Sequence, residues 1–202
     1  MDQNLRHIAS KINAQVLAVT SQIHESLVNE LMTLKLPNSI FNKVWLETAY
    51  LGVHLLQKKF GVLLGHENSK TVNKHVRELF LDIAPSLFGG EGENKEIFKG
   101  WIVSQYDQRL EMYEQYQGLD ISLRFRELIR NAFNTTGGSK VRFIENKPGN
   151  PLRLKTAFFF GGKRFFGKHD SEVCLPNENL NAFAANAAQA FGNISEHDIK
   201  GL

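Results

Sequence analysis

The sequence predicts a mainly α fold: a helical bundle of about five helices, followed by a small C-terminal β-hairpin region and a final helix. Apolar residues recur every three or four positions through most of residues 1–136, as they do in helices that bury one face. Over residues 140–166 this periodicity gives way to short alternating runs between glycines and prolines, which is typical of strands and turns. We therefore divide the chain into a helical bundle over 1–136 and a basic hairpin segment plus C-terminal helix over 137–202, packed on the bundle as one domain.

The first helix is the longest that the sequence predicts. Its apolar residues run from Leu5 to Leu34 with a mean step of about 3.6 residues, the period of a straight helix and not the shorter one of a coiled coil. Pro37 follows the last of them, and proline cannot continue a helix. The pattern therefore predicts a long bundle helix that ends before Pro37.

The second helix is predicted to begin at Asn38 or Ser39 and to end at Gly61 or Gly65, because these residue types cap and terminate helices. It is apolar on nearly all sides, which is typical of a helix at the centre of a bundle. We expect four of its side chains to be buried in the core: Val44, Trp45, Leu51 and Leu55.

Three more amphipathic helices are predicted before residue 137, each bounded by helix-capping or helix-breaking residues. Pro85 and Gly89-Gly90 close the third, Asn94 caps and Gly118 ends the fourth, and Asp120 caps and Gly137-Gly138 end the fifth. Residues 1–136 should then be nearly all helical, with breaks near Pro37, Gly65, Gly90 and Gly118, and a strand anywhere in 40–84 would contradict the prediction.

The remaining third of the chain is predicted to hold a small sheet and one helix. Residues 140–143 and 152–155 alternate apolar and basic side chains, and Gly161-Gly162 is a two-residue hairpin signal between apolar runs. The last helix is predicted over about 178–191.

Charge is distributed very unevenly along the chain, whose net charge is +3. Residues 1–136 carry 15 basic and 15 acidic residues, residues 137–170 carry 8 basic and 2 acidic, and residues 171–202 carry 1 basic and 4 acidic. The middle segment alone is therefore at +6. Such a concentration favours a polyanionic partner. The alternative is a solvated basic hairpin that pairs with the acidic C-terminal part.

The candidate contacts with nucleic-acid phosphates are seven of the eight basic residues of this segment: Lys140, Arg142, Arg153, Lys155, Lys163, Arg164 and Lys168. Phenylalanines within 158–166 are candidates to stack on bases. Three consecutive phenylalanines in a strand point to both faces, so at least one of them faces away from the bundle.

The motifs of phosphate hydrolysis and of metal catalysis are broken in this sequence. Residues 149–156 approach a phosphate-binding loop, but Leu154 stands where its second glycine is needed. His24 begins a zinc-protease pattern, and Val28 occupies the place of the second histidine. The single cysteine, Cys174, excludes an intramolecular disulfide. We therefore expect no metal and no cofactor.

The N-terminal residues lack the apolar core of a secretory signal peptide. The most apolar stretch, residues 40–64, is interrupted by several charged residues and is interpreted as a buried core helix. We expect a cytoplasmic protein with no membrane contact.

The fifth helix ends in the stretch Ile129–Gly138, IRNAFNTTGG. This ending, after several helices and before a basic hairpin, resembles the end of a HEPN domain (higher eukaryotes and prokaryotes nucleotide-binding). The resemblance implies a helical bundle and, in many members, a metal-independent ribonuclease whose Arg-polar-x-x-x-His motif is paired across a homodimer. Arg130 and Asn131 match the first two motif positions, whereas Thr135 stands in place of the histidine that transfers protons. The resemblance thus implies a degenerate, non-cleaving member.

The favoured function is non-catalytic binding of RNA or another polyanion through residues 140–168. Two alternatives are a HEPN-type metal-independent ribonuclease that uses Arg130 and Asn131, possible as a homodimer, and a protein–protein interaction adaptor. Arg126 and Arg130 stand four residues apart on one helix, a spacing at which two guanidinium groups can grip one anion. The opposing interpretation is that they pair with Glu127 and other acids.

Overall fold

The computed structural model describes residues 2–31, 36, 38–87, 93–134, 141–144 and 173–200. These residues form seven helices and two short strands. In chain order they are α1 (Asp2–Leu31), α2 (Asn38–Leu64), α3 (His66–Leu87), α4 (Glu93–Glu114), α5 (Leu119–Asn134), β1 (Val141–Ile144), β2 (Val173–Pro176), α6 (Asn177–Gly192) and α7 (Glu196–Lys200). The prediction of a mainly helical bundle is confirmed.

Two of the predicted helix breaks coincide with glycines in the left-handed conformation. Gly65 separates α2 from α3 with a φ of 73°, and Gly118 precedes α5 with a φ of 54°. Residues with side chains rarely adopt such angles, so glycine is favoured at both points. Residues 40–84 are helical apart from Gly65. The breaks predicted at Pro37 and Gly90 lie outside the described residues, as do the terminators Gly89 and Gly137-Gly138.

Helix α2 lies at the centre of the bundle, as its apolar sequence predicts, and it packs against α1, α3, α4, α5 and α6. Val44 and Leu51 are fully buried, and Trp45 is 5% exposed. Leu55 is only half-buried, and its neighbour Leu56 is fully buried in its stead. Successive helical residues are rotated by about 100° from one another, so a one-residue change moves a side chain to another face.

Several predicted helix ends are displaced by a few residues. Pro85 does not close α3 but lies buried inside it, two residues before the helix ends at Leu87. Proline in the last turn removes a single backbone hydrogen bond, which is a smaller disruption than in the middle of a helix. Asn94 and Asp120 are the second residues of α4 and α5 and not their caps. Gly61 lies inside α2, which ends at Leu64.

The two strands pair in parallel, with Val141 opposite Val173 and Ile144 opposite Pro176. Strand β1 confirms the strand predicted near 140–143. Its partner was not predicted, and a parallel pair is not a hairpin, because the two strands of a hairpin are antiparallel. The predicted strand at 152–155 and the turn at Gly161-Gly162 lie outside the described residues.

Helix α6 confirms the predicted final helix and begins at Asn177. It packs against α5 and α2, and its Phe191 is fully buried in the core that it shares with them. A short α7 follows. Lys59 of α2 fixes the turn between α6 and α7, because its Nζ donates to the carbonyl oxygens of Gly192 at 2.8 Å and Ile194 at 2.6 Å.

None of the helices in the described part of the chain has the length and apolar character that would let it cross a membrane. Helix α2 comes nearest by composition, and its apolar side chains are used for packing inside the bundle.

Candidate functional site

The basic segment is attached to the helical body at both of its ends by described residues. Strand β1 follows α5 in the chain, and β2 leads directly into α6. Of the seven basic candidates only Arg142 is described; it lies in β1, opposite Cys174 in the register. Lys140, Arg153, Lys155, Lys163, Arg164 and Lys168 lie outside the described residues. The structure therefore locates where the segment joins the body.

Two arginines of α5 contact two asparagines of α6 close to this junction. Arg126 Nη1 donates to Asn181 Oδ1, and Arg130 Nη2 donates to Asn177 Oδ1, both at 2.9 Å. Arg130 follows Arg126 by four residues, whereas its partner Asn177 precedes Asn181 by four residues. The two helices therefore run antiparallel here. The sequence predicted that these two guanidinium groups could bind one anion together. Each of them is instead hydrogen-bonded to a neutral side-chain amide of α6.

Glu127 is not the partner of these two arginines. Its Oε2 accepts a hydrogen bond from Arg124 Nη1 at 2.8 Å, within the same turn of α5. Among the described residues, no carboxylate lies within ion-pair distance of Arg126. The positive charge of Arg126 is therefore not neutralised by an acid of the described body.

The HEPN-like stretch is described only in part. Arg130 is half-buried and Asn131 is exposed near the end of α5, and Thr135 lies outside the described residues. Among the described residues, the buried and half-buried histidines have neighbours elsewhere in the bundle: His24 with the carbonyl oxygen of Phe41, His54 with Glu114, and His75 with Glu78.

Helices α2 and α4 are joined by buried polar residues, which we call the α2–α4 polar layer. It consists of Glu47, Tyr50 and His54 on α2 and of Tyr106, Arg109 and Tyr113 on α4, the members on each helix being about one and two turns apart.

Glu47 and Arg109 form the strongest pair of this layer. Arg109 Nε lies 2.9 Å from Oε1 and 2.8 Å from Oε2 of Glu47, and Nη2 lies 2.8 Å from Oε1. The side chain of Arg109 is only 22% exposed, and that of Glu47 only 12%. Burial lowers the pKa of the Arg109 guanidinium, but the hydrogen bonds and the charge of Glu47 outweigh it, and the net shift is upward. The guanidinium is therefore charged, and the pair holds two helices together.

The three tyrosines of the polar layer have at most 1% of their surface exposed. The rings of Tyr50 and Tyr106 meet edge to face at 6.0 Å, and Tyr50 Oη donates to the carbonyl oxygen of Ile102 at 3.4 Å. Burial raises the pKa of each phenol well above its ordinary value, and the charge of Glu47 raises it further for Tyr50 and Tyr113. The phenols therefore stay protonated and do not act as bases.

His54 is the most unusual member of the layer, because it is a histidine with 2% exposure. Its Nδ1 lies 3.6 Å from Glu114 Oε1, and its ring lies 5.4 Å from that of Tyr113. Burial lowers the pKa of His54 to about 4, although Glu114 raises it and Lys58 lowers it further. His54 is therefore neutral at pH 7.

A cleft of about 370 Å³ opens between α1 and α3, lined in part by Arg6, His75, Arg77 and Glu78. Most of these side chains already have partners inside the fold: His75 Nδ1 lies 3.2 Å from Glu78 Oε2, and Arg77 pairs with Asp107 at 2.7 Å. Within the described residues, no group of three or more His, Cys, Asp or Glu side chains is placed to hold a metal ion.

Comparison of the chain with family models, curated proteins and solved structures gives no match. The resemblance of residues 129–138 to a HEPN domain therefore stays a prediction.

The polar layer was missed by reasoning from the sequence, although a signal for it was present. Glu47 and His54 lie seven residues apart, on the same face of a largely apolar helix. Arg109 lies on the tyrosine stripe between Tyr106 and Tyr113. Charged residues on the apolar face of a helix are buried when the helix packs, and buried charges need partners. The pattern predicts a buried ion pair but does not show which helices share it.

Proposed function

We propose that this chain is a non-catalytic binding protein that engages RNA, as a polyanion, through the basic 140–168 segment. The observation that carries the proposal is the concentration of +6 on residues 137–170, next to a neutral stretch of 136 residues. Phosphate contacts from lysine and arginine supply most of the affinity of sequence-independent binding. The finer picture of a basic β-hairpin with stacking phenylalanines belongs to the same proposal.

The ion pairs of the helical body support this proposal, because they neutralise many of its basic side chains. Many of them pair with acids within the body: Arg109 with Glu47, Arg77 with Asp107, Arg124 with Glu127, Lys70 with Glu67, and Lys58 with Glu114. Ion pairs of this kind leave little net field to attract a polyanion. The body is therefore a scaffold, and the attraction is concentrated in the segment that it carries.

The placement of Arg126 adds to this attraction. It lies half-buried on α5, the helix from which the chain passes into β1 and the basic segment, and its contact is a neutral amide. Its charge is thus available at the base of the segment. A polyanion bound by the segment would experience this additional positive field at short range.

The experiment is a titration with mixed-sequence single-stranded RNA at several salt concentrations. The variant K163E/R164E reverses two charges of the segment. The matched control K70E/K74E makes the same change in net charge on the exposed face of α3. We expect the segment variant to weaken binding and to reduce the slope of log affinity against log salt by about 0.7 for each lost phosphate contact, whereas the control changes little.

Wild-type protein that shows no salt-sensitive binding at low ionic strength would refute the proposal. Equal losses in both variants would show that only overall charge matters. Binding of a protein partner that is insensitive to salt would favour the adaptor.

The ribonuclease alternative is distinguished by cleavage and not by affinity. Arg130 is the residue on which it depends, and it lies on α5 against Asn177 of α6. The proposal predicts intact RNA after prolonged incubation with wild-type protein. Cleavage that persists in chelator and disappears in R130A, with binding retained, would establish the ribonuclease in its place.

A further inference from the structure

His54 lies in the middle of α2, against the C-terminal turn of α4. Tyr113, whose ring packs on that of His54, and Glu114, whose carboxylate faces Nδ1, are the last two residues of α4. The chain then turns through Gln115–Gly118 into α5. The contact of this histidine is therefore made with the end of a helix, where backbone groups are less restrained than in the middle.

A neutral imidazole fits this environment, and a protonated one does not. The neutral ring carries one N–H, and a protonated ring carries two, each of which needs an acceptor when buried. Nδ1 faces the Glu114 carboxylate at 3.6 Å, slightly beyond hydrogen-bond distance. Nε2 is buried, and no described residue accepts a hydrogen bond from it. Protonation in place would leave a buried N–H without an acceptor.

The charges around the ring reinforce this conflict. Glu114, on α4, favours the protonated ring, but it is 62% exposed and also lies 3.8 Å from Lys58 Nζ. Lys58 is on the same helix as His54, one turn further on, and disfavours a second positive charge. The phenol of Tyr113 stays neutral, and beyond it α5 contributes the positive Arg124. One shared and solvent-exposed carboxylate is therefore opposed by Lys58 and by burial.

We propose that His54 is an acid-sensitive latch: it holds the C-terminal turn of α4 on α2 while neutral, and it releases that turn when it takes up a proton. In the released state both ring nitrogens reach water, so the buried N–H without an acceptor is avoided. The displaced residues are Tyr113 and Glu114, together with the turn that follows. The latch is independent of the proposed RNA binding.

The direction of the effect follows from linkage. Above about pH 6.5, the ordinary pKa of histidine, His54 is neutral in both states and the closed state has its full stability. Below that pH, His54 takes up a proton in the released state but stays neutral in the closed state. The closed state therefore loses stability relative to the released state until the pH falls to about 4. Between pH 7 and pH 5 the released population should rise about 20-fold relative to the closed one.

The experiment measures amide hydrogen exchange in α4 at pH 7 and pH 5, each corrected for the intrinsic exchange rate at that pH. In wild-type protein we expect the protection of residues 110–114 to fall by about 20-fold at pH 5, with α1 and α3 protected as before. His54→Gln keeps a polar side chain that takes up no proton in this range, so its protection should be the same at both pH values. His75→Gln is the matched control, because His75 is buried but lies 3.2 Å from its carboxylate.

A direct titration of the wild-type imidazoles by NMR keeps the inference testable if His54→Gln fails to fold. The latch requires the His54 resonance to titrate well below the ordinary histidine range, together with changes in the amides of Tyr113 and Glu114. Titration near pH 6.5, or a loss of α4 protection that is the same in His54→Gln and wild type, would overturn it.

Discussion

Gly52 of α2 lies directly against the aromatic ring of Phe191 of α6. A Cβ atom placed on Gly52 would lie 2.5 Å from both Cε1 and Cζ of that ring, well inside van der Waals contact. Both residues are buried, and Phe191 is 0% exposed. The absence of a side chain at position 52 therefore allows the final helix to dock on the central one.

Gly52→Ala should consequently destabilise the fold. The added methyl group must displace the Phe191 ring, at a cost of about 1–3 kcal/mol, which outweighs the gain of up to about 1 kcal/mol from the higher helix propensity of alanine. Urea unfolding followed by circular dichroism measures the change. Gly100→Ala is the control, because a Cβ atom there meets nothing within 4 Å and propensity alone should make it stabilising. A Gly52→Ala protein as stable as the Gly100→Ala protein would contradict this packing.

Leu51→Ala should remove a fully buried side chain from the centre of the bundle. The lost burial and the remaining cavity should lower the free energy of unfolding by about 2–5 kcal/mol. Leu123, which is 48% exposed on α5, provides the control, and Leu123→Ala should change stability by less than about 0.5 kcal/mol apart from propensity. Equal effects of the two substitutions in urea unfolding would place α2 away from the core.

Glu47→Gln should be more damaging than the removal of both partners of the ion pair. The substitution leaves Arg109 charged and largely buried without its carboxylate, which typically costs about 3–5 kcal/mol. The double variant Glu47→Leu/Arg109→Met removes both charges and should recover much of that loss. A double-mutant cycle with the single variants Glu47→Leu and Arg109→Met measures the coupling between the residues. Additive effects would show that the bidentate geometry contributes no coupling.

The two charged neighbours of His54 should move its pKa in opposite directions. Lys58→Met removes a positive charge and should raise the pKa of His54, whereas Glu114→Gln removes the favourable negative charge and should lower it. Raising that pKa brings it nearer to the unfolded value, so Lys58→Met should reduce the loss of stability between pH 6.5 and pH 4. NMR titration of the imidazole in the two variants measures both shifts. Shifts of the same sign would mean that the helix end is displaced in one of the variants.

The helices were predictable because their signals are local. Apolar residues at helical spacing, together with Gly65, Gly118 and Asn177, mark elements whose hydrogen bonds connect residues four apart. The helix ends were less well determined, since Pro85 fits inside the last turn of α3 when its ring is buried. A strand signal near residue 141 was also sufficient for β1.

The tertiary structure decided which distant residues meet. The pairing of β1 with β2 joins residues 32 apart in sequence, and the pair Glu47–Arg109 joins residues 62 apart. Local periodicity does not show which residue pairs with which in either case, because the pairing depends on how distant elements face each other once they pack. The same holds for Gly52 and Phe191. The sequence by itself thus determined the helices and the concentration of positive charge, while the polar layer and the position of His54 follow from packing, since burial gives these side chains their partners and their pKa values.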